Sequence, residues 1–136
     1  MALERFIQAQ EHTYAHALNE IKNGKKQGHW MWFIFPQLKG LGSSNTANYY
    51  GLENLEEAKN YLHDPVLGKR LIEISQALLQ IKSKTASQIF GYPDDLKLHS
   101  SMTLFAATGL HPIFGRLLDM YFDGQPERLT LSLLKR

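Results

Sequence analysis

The chain has 136 residues, of which 43% are hydrophobic and 21% are charged. This composition is typical of a folded globular protein and excludes a disordered one, and the length predicts one domain over residues 1–136. The absence of cysteine excludes disulfides and thiolate chemistry and is typical of a reducing compartment. The formal net charge of +2 is too small to indicate nucleic-acid binding.

Membrane insertion and secretion are not expected from the sequence. The longest apolar run, residues 30–35, is far shorter than the roughly 20 residues of a membrane helix. The first residues lack the basic start, apolar run and small cleavage residues of a secretory signal. We therefore expect a cytoplasmic protein without a membrane partner, and the sequence leaves its oligomeric state open.

Capping signals and apolar periods predict an all-α domain of about seven or eight helices, with no sheet. An apolar stripe of helical period covers residues 3–22 and ends at Asn23-Gly24. Residues 29–35 are apolar on all sides and end at Pro36, which predicts a buried helical turn or two. The further predicted helices cover residues 46–50, 54–62, 64–83, 96–108, 112–123 and 126–134. A short turn is predicted to start at residues 83–85 and run through residues 89 and 90 to residue 91.

The segment 29–42 is the part of the sequence richest in aromatic residues. Both tryptophans and two of the seven phenylalanines lie between positions 30 and 35. We predict that Trp30 and Trp32 belong to the core, with each indole N–H bonded to a backbone carbonyl. The alternative is a ligand site in which rings stack on a flat molecule and polar groups bind its edge or charge. The residues that fit this alternative are His29, Trp30, Trp32, Gln37, Lys39, Tyr49 and Tyr50, and for His29 and Gln37 both interpretations stay open.

A second polar cluster lies on the predicted helix 96–108, whose apolar residues face several directions and therefore indicate burial. Ser100 or Ser101 would serve as a nucleophile only with a histidine from elsewhere, because adjacent helical residues do not face each other. Candidates for that histidine are His29 and His111. We favour a structural interpretation, in which Ser and Thr bond back to the helix backbone and the acidic residues favour its positive end. The cluster comprises Asp94, Asp95, Lys97, His99, Ser100, Ser101 and Thr103.

Known cofactor and catalytic motifs are absent, so we predict no cofactor and no metal site. His12 and His16 have the spacing of metal ligands on a helix. Both would lie nearly opposite the apolar stripe, and we predict that they are solvated. Residues 40–44 resemble a phosphate loop only superficially, although backbone N–H groups at such a turn suit an anion.

Several blocks of the sequence resemble a bacterial protein family. These blocks are residues 29–37, 40–44, 61–68, 89–98 and 100–105, together with Arg5-Phe6, Gln10, Tyr14 and Ala17-Leu18 near the start. They resemble the domain-of-unknown-function family 1810, over nearly the whole chain. The resemblance implies a small, all-helical, cytoplasmic protein with no established activity. Some members are labelled calpastatin, but that inhibitor is a disordered, repeat-containing chain, whereas this sequence is rich in apolar residues.

These observations predict a pocket for a flat, anionic small ligand where residues 29–42 meet residues 94–103. A nucleotide or an ADP-ribose-like molecule is the expected class. The predicted ligand-binding residues are Trp32, Gln37, Lys39, Tyr49, Lys97, Ser100 and Ser101. If a reaction takes place, its candidates are His29, Asp95, His99 and Ser101, with a histidine as acid–base and Asp95 as its orienting group. Alternatives are a non-catalytic protein-interaction module and, less favoured, nucleic-acid binding through Lys22, Lys25, Lys26 and Lys39.

Overall fold

The computed structural model describes residues 3–135, which confirm the predicted all-α class. Residues 1, 2 and 136 of the predicted domain lie outside the described residues. Ten helices are present in the described part, somewhat more than the seven or eight predicted. They are α1 (Glu4–Gln10), α2 (Tyr14–Lys22), α3 (Met31–Ile34), α4 (Asn45–Tyr50), α5 (Leu55–His63), α6 (Leu67–Leu79), α7 (Ala86–Phe90), α8 (Asp94–Ala107), α9 (Ile113–Phe122) and α10 (Arg128–Leu134).

Extended structure is minimal in the part of the chain that the structure describes. Leu38 and Leu52 form one isolated parallel bridge, and no strand is present there. None of the described helices combines the length and the apolar character needed to span a bilayer. The bridge joins the loop after α3 to the second residue after α4.

The helix predicted over residues 3–22 is two helices, α1 and α2, separated by a turn at residues 11–13. The two halves dock on different partners, α1 on α3 and α2 on α6. The buried Gln10 amide donates to the Phe33 carbonyl at 2.7 Å and to the Tyr61 hydroxyl at 2.9 Å. The Tyr14 hydroxyl donates to the Arg70 carbonyl at 3.0 Å. These tertiary contacts override the continuous apolar period from which one helix was predicted.

Local capping is where the sequence prediction succeeds. The Ser44 hydroxyl accepts the Ala47 N–H at 3.1 Å at the start of α4. The Asn54 side chain accepts the Glu57 N–H at 2.9 Å at the start of α5. Asp64 Oδ1 accepts two backbone N–H groups at 2.9 Å ahead of α6. Such caps satisfy donors that have no partner inside the helix, and they depend only on neighbouring residues.

Helix α8 lies at the centre of the molecule and packs against α5, α7, α9 and α10. It buries both apolar residues, such as Met102, and polar ones, as its apolar pattern predicts. The Thr103 hydroxyl donates to the His99 carbonyl at 2.8 Å, and the Ser100 hydroxyl lies 3.3 Å from the Leu96 carbonyl. The predicted return of hydroxyls to the helix backbone is therefore confirmed for Thr103. The Ser100 hydroxyl lies closer to Glu127 Oε1, at 3.0 Å, and the Ser101 hydroxyl has no hydrogen-bond partner among the described residues.

The two tryptophans differ in their surroundings. Trp30 is 1% exposed and packs against Phe35 and Phe90, as predicted for a core residue. We predicted that its indole N–H bonds to a backbone carbonyl, and this was wrong. The N–H instead donates to Glu20 Oε1 at 2.9 Å. Trp32 is only partly buried, so its placement in the core was wrong. Successive side chains of an α-helix point about 100° apart. The four residues of α3 therefore point to all sides of the helix, and they cannot all face the core.

Candidate functional site

A cleft of about 560 Å³ lies between the loop after α3, the outer side of α8 and the start of α10. We call it the Trp32 cleft. It joins the two segments that carry the polar clusters of the sequence. Its lining includes Trp32, Gln37, Leu41 and Gly42 from the first segment with the adjoining Ser43 and Ser44, Leu96, Lys97, His99 and Ser100 from the second with the adjoining Pro93, and Glu127 and Leu129 near α10.

Lys97 joins the two sides of the Trp32 cleft. Its ammonium lies over the Trp32 ring, 4.4 Å from the ring centre, and 3.3 Å from Asp94 Oδ1. The other oxygen of Asp94 lies 2.8 Å from the ammonium of Lys26, whose side chain is 6% exposed. The Lys26 ammonium in turn lies 4.9 Å from the centre of the Trp30 ring. One carboxylate thus connects two cations, and each cation contacts a tryptophan.

Glu127 contributes a carboxylate to the cleft at the start of α10. Its Oε1 accepts the Ser100 hydroxyl at 3.0 Å, the Thr130 N–H at 3.0 Å and the Thr130 hydroxyl at 2.5 Å. Its Oε2 accepts the Leu129 N–H at 2.5 Å. Burial disfavours the charged form, but these hydrogen bonds outweigh it and hold the pKa of Glu127 below its ordinary value. The carboxylate is therefore ionised at neutral pH.

His99 is held by contacts on its ring face and ring edge. The ring stacks on Phe122, with centroids 4.1 Å apart and planes 4° from parallel. Its Nε2 lies 2.7 Å from the Gln125 carbonyl oxygen, and since a carbonyl only accepts, Nε2 carries a proton. In the neutral ring Nδ1 is then the acceptor. His99 thus brings a ring of fixed orientation to the cleft.

The comparison with known proteins assigns a family. Residues 1–134 match the family model described as "Protein of unknown function (DUF1810)". The chain belongs to this family. It is similar to the conserved hypothetical protein Rv1873 from Mycobacterium tuberculosis, whose crystal structure matches with 47% identity and a TM-score of 0.97, over 98% of this chain and 96% of that chain. None of the curated proteins compared with this chain matches it.

The predicted site residues of this DUF1810 protein separate into groups. Trp32, Gln37, Lys97, His99 and Ser100 all line the Trp32 cleft. Their meeting follows from the packing of the loop after α3 beside α8. The sequence indicated these five as members of two clusters, and the structure brings the five together.

Lys39 and Tyr49 instead line a second hollow, of about 470 Å³, between α1, α4 and α5. We call it the Tyr49 hollow. The Lys39 ammonium pairs with Glu53 at 3.1 Å, and the Arg5 guanidinium donates to the Tyr49 carbonyl at 2.7 Å. Lys39 follows the bridge residue Leu38 and Tyr49 lies on α4, and neither lines the Trp32 cleft.

His29, Asp95 and Ser101 line neither the cleft nor the hollow. His29 is exposed, whereas Ser101 is fully buried and its hydroxyl has no hydrogen-bond partner among the described residues. Asp95 Oδ1 accepts the N–H of its neighbour Leu96 at 2.9 Å. Within residues 3–135 no hydrogen bond joins Asp95 to a histidine, so the expected orienting contact is not formed.

Sequence reasoning missed Glu127, the acidic residue of the cleft. Its signal was an acidic residue just after Pro126, where the last helix begins, and acidic residues are common in the first turn of a helix. Glu127 does cap α10, through the N–H groups of Leu129 and Thr130. The pattern gave no sign that α10 packs on α8 and so directs the same carboxylate to Ser100.

The structure also places the histidines considered as metal ligands and the lysines considered for nucleic-acid binding. His12 lies in the turn between α1 and α2 and His16 lies on α2, and both are exposed as predicted. The described residues contain no cluster of metal-binding side chains. Of the four lysines considered for nucleic acid, Lys26 pairs with Asp94 and Lys39 pairs with Glu53, while Lys22 and Lys25 are exposed.

Proposed function

We propose that this DUF1810 protein binds a flat, anionic small molecule in the Trp32 cleft, of the nucleotide or ADP-ribose type. The proposal is carried by the contact between the Lys97 ammonium and the Trp32 ring at one wall of the cleft. A cation beside an aromatic face suits a ligand whose base and phosphate lie close together. The proposal is one of binding, and it assigns no reaction.

The dimensions and lining of the cleft support a ligand of this size. Small-molecule sites have volumes of roughly 300–1,000 Å³, with apolar walls and a few polar groups. The Trp32 cleft has about 560 Å³, and its walls include Trp32, Leu41 and Leu96. Gln37 and Lys97 supply polar groups at its edge, where an amide can pair with a base and an ammonium with a phosphate.

Calorimetric titration with AMP, ADP and ADP-ribose tests the proposal. Adenosine and inorganic pyrophosphate serve as controls, since each carries only the ring or only the anion. We expect the nucleotides to bind more tightly than either control, because ring and anion would contact different groups of the wall. No binding of AMP, ADP or ADP-ribose at about millimolar concentration would refute the proposal.

Two matched lysine variants locate the site. Lys97→Gln removes the cation of the Trp32 cleft, and we expect ADP affinity to fall about tenfold or more. Lys39→Gln makes the same change in the Tyr49 hollow and should leave ADP affinity unchanged. The opposite result, with Lys39 and not Lys97 required, would place the ligand in the Tyr49 hollow and contradict the assignment to the cleft.

A protein-interaction module is the second candidate, and exposed apolar side chains near the cleft favour it. Tyr92 is 80% exposed, and Leu96 and Leu129, at the rim of the cleft, are 52% and 65% exposed. Exposed apolar groups that lie together mark interaction sites more often than isolated ones do. Capture of a specific protein that is lost in Leu96→Asp and Leu129→Asp, combined with no nucleotide binding, would favour this candidate.

A further inference from the structure

Glu127 is the one acidic side chain that lines the Trp32 cleft within the described residues. All four of its hydrogen bonds come from groups of α8 and α10, so the carboxylate is fixed in place. It faces the same space as Lys97, which pairs with Asp94 and not with Glu127. The cleft therefore carries one anionic and one cationic group that do not neutralise each other through a direct ion pair.

The hydrogen-bonding capacity of Glu127 is not used up. An ionised carboxylate offers about two acceptor positions on each oxygen. Oε1 is filled, because it already accepts Ser100 and both donors of Thr130. Oε2 accepts only the Leu129 N–H among the described residues, so it retains room for one further donor.

The charge of Glu127 limits what can lie next to it. A second anion beside a partly buried carboxylate is repelled, whereas a hydroxyl or amino group donates a hydrogen bond strengthened by the charge. An anionic ligand must then place its phosphate towards Lys97 and its neutral, donor-bearing part towards Glu127. The two groups thereby impose one orientation on the ligand.

From this arrangement, and resting on the proposed function, we infer that Glu127 determines specificity by accepting a hydrogen bond from the neutral part of a nucleotide. The donor is either the 2′-hydroxyl of the ribose or the exocyclic amino group of the base. The ligand class is then a nucleotide recognised at both ends, and free phosphate, pyrophosphate and dicarboxylates are disfavoured. Glu127 thus acts as a binding group as well as a helix cap.

Three nucleotides separate the two possible donors in calorimetric titrations of the wild-type protein. AMP carries both donors, 2′-deoxy-AMP lacks the 2′-hydroxyl, and IMP lacks the exocyclic amino group. Loss of one charge-assisted hydrogen bond should weaken binding about tenfold or more. We expect AMP to exceed one of the two analogues by this factor, and the weaker analogue identifies the donor.

Glu127→Gln tests whether the carboxylate is responsible for this preference. The amide keeps one acceptor for the cap but loses the charge, so the preference for AMP should disappear. This variant also weakens the cap of α10, and Thr85→Ala is the matched control. Thr85 caps α7 by accepting the Gln88 N–H at 3.1 Å, and it does not line the cleft. Both variants should lower the Tm, and only Glu127→Gln should change the ratio of affinities.

The outcomes distinguish this inference from the proposed function. Binding of AMP, 2′-deoxy-AMP and IMP with equal affinity would overturn the role of Glu127 and leave the nucleotide site standing. A preference for AMP that persists in Glu127→Gln would do the same. Failure of all three to bind would instead overturn the proposed function. The wild-type comparison needs no variant, so a loss of folding in Glu127→Gln does not prevent the decision.

Discussion

The ammonium of Lys97 lies 4.4 Å from the centre of the Trp32 ring. These residues come from the two segments of the sequence that carry polar and aromatic clusters, and their contact spans one wall of the Trp32 cleft. Cation–π contacts of this kind are worth about 0.5–1 kcal/mol at exposed sites. The contact is therefore weak enough for a ligand to rearrange at little cost, unlike the buried contacts of Trp30.

Lys97 should shield Trp32 from solvent in the free protein. In Lys97→Ala we expect acrylamide to quench tryptophan fluorescence more strongly, because the partly exposed Trp32 loses its cover while Trp30 stays buried. The free energy of unfolding should fall by no more than about 1 kcal/mol. Trp32→Phe provides the control, since its remaining Trp30 emission should hardly be quenched. Equal quenching of Lys97→Ala and wild type would contradict the shielding contact.

Asp94 should matter more for stability than its neighbour Asp95. Asp94 compensates the charge of Lys26, whose side chain is 6% exposed, whereas Asp95 accepts only the N–H of Leu96. Removing one partner of a buried ion pair leaves a charge without compensation, so Asp94→Asn should cost about 2 kcal/mol or more. Asp95→Asn makes the same change one position later and should cost less than about 1 kcal/mol. Urea unfolding measures both, and equal costs would argue against the Lys26–Asp94 pair.

Glu20 should make the stability of the protein sensitive to acid. Burial disfavours its charge, but the N–H groups of Gly28, Gln27 and Trp30 outweigh this and hold the pKa of Glu20 below its ordinary value of 4.5. Because the unfolded chain then takes up its proton first, the stabilisation is complete above 4.5 and is lost as the pH falls through the folded pKa.

Glu20→Gln removes this titration. The variant should be less stable than wild type near neutral pH, and the difference should shrink on acidification. Urea unfolding between about pH 7 and about pH 3 measures the effect. Glu56→Gln, at an exposed position on α5, is the control and should follow the wild-type profile. Parallel profiles of wild type and Glu20→Gln would show that the three hydrogen bonds do not favour the charged form.

Gly68 should not tolerate a side chain. A Cβ atom at this position would lie 2.0 Å from the carbonyl oxygen of Leu62, a backbone atom that cannot rotate away. Gly68→Ala should therefore destabilise the protein by about 3 kcal/mol or more. Gly115 in α9 is the control, because its Cβ would meet no atom within 4 Å. Gly115→Ala should raise stability by up to about 1 kcal/mol, and a neutral Gly68→Ala in thermal unfolding would contradict the close approach of α5 and α6.

Helix starts and the burial of α8 were predictable because their causes are local. Ser44 and Asn54 cap helices whose first N–H groups are only three residues away. The apolar residues of α8 face several directions, and this pattern alone indicates burial. The break between α1 and α2 was not predictable, because it depends on Gln10 and Tyr14 docking on different, distant elements.

The candidate site shows the same division. The sequence by itself determined the helical class and indicated two clusters, which include Trp32 and Lys97. Both clusters could be recognised because a high density of aromatic residues, and polar residues within a helix predicted to be buried, are properties of the sequence alone. Only the tertiary structure decided which members meet, separating Lys39 and Tyr49 from the cleft and adding Glu127. The physical reason is that a cleft is formed by packing between elements far apart in the chain, and the pattern of any one element does not contain that geometry.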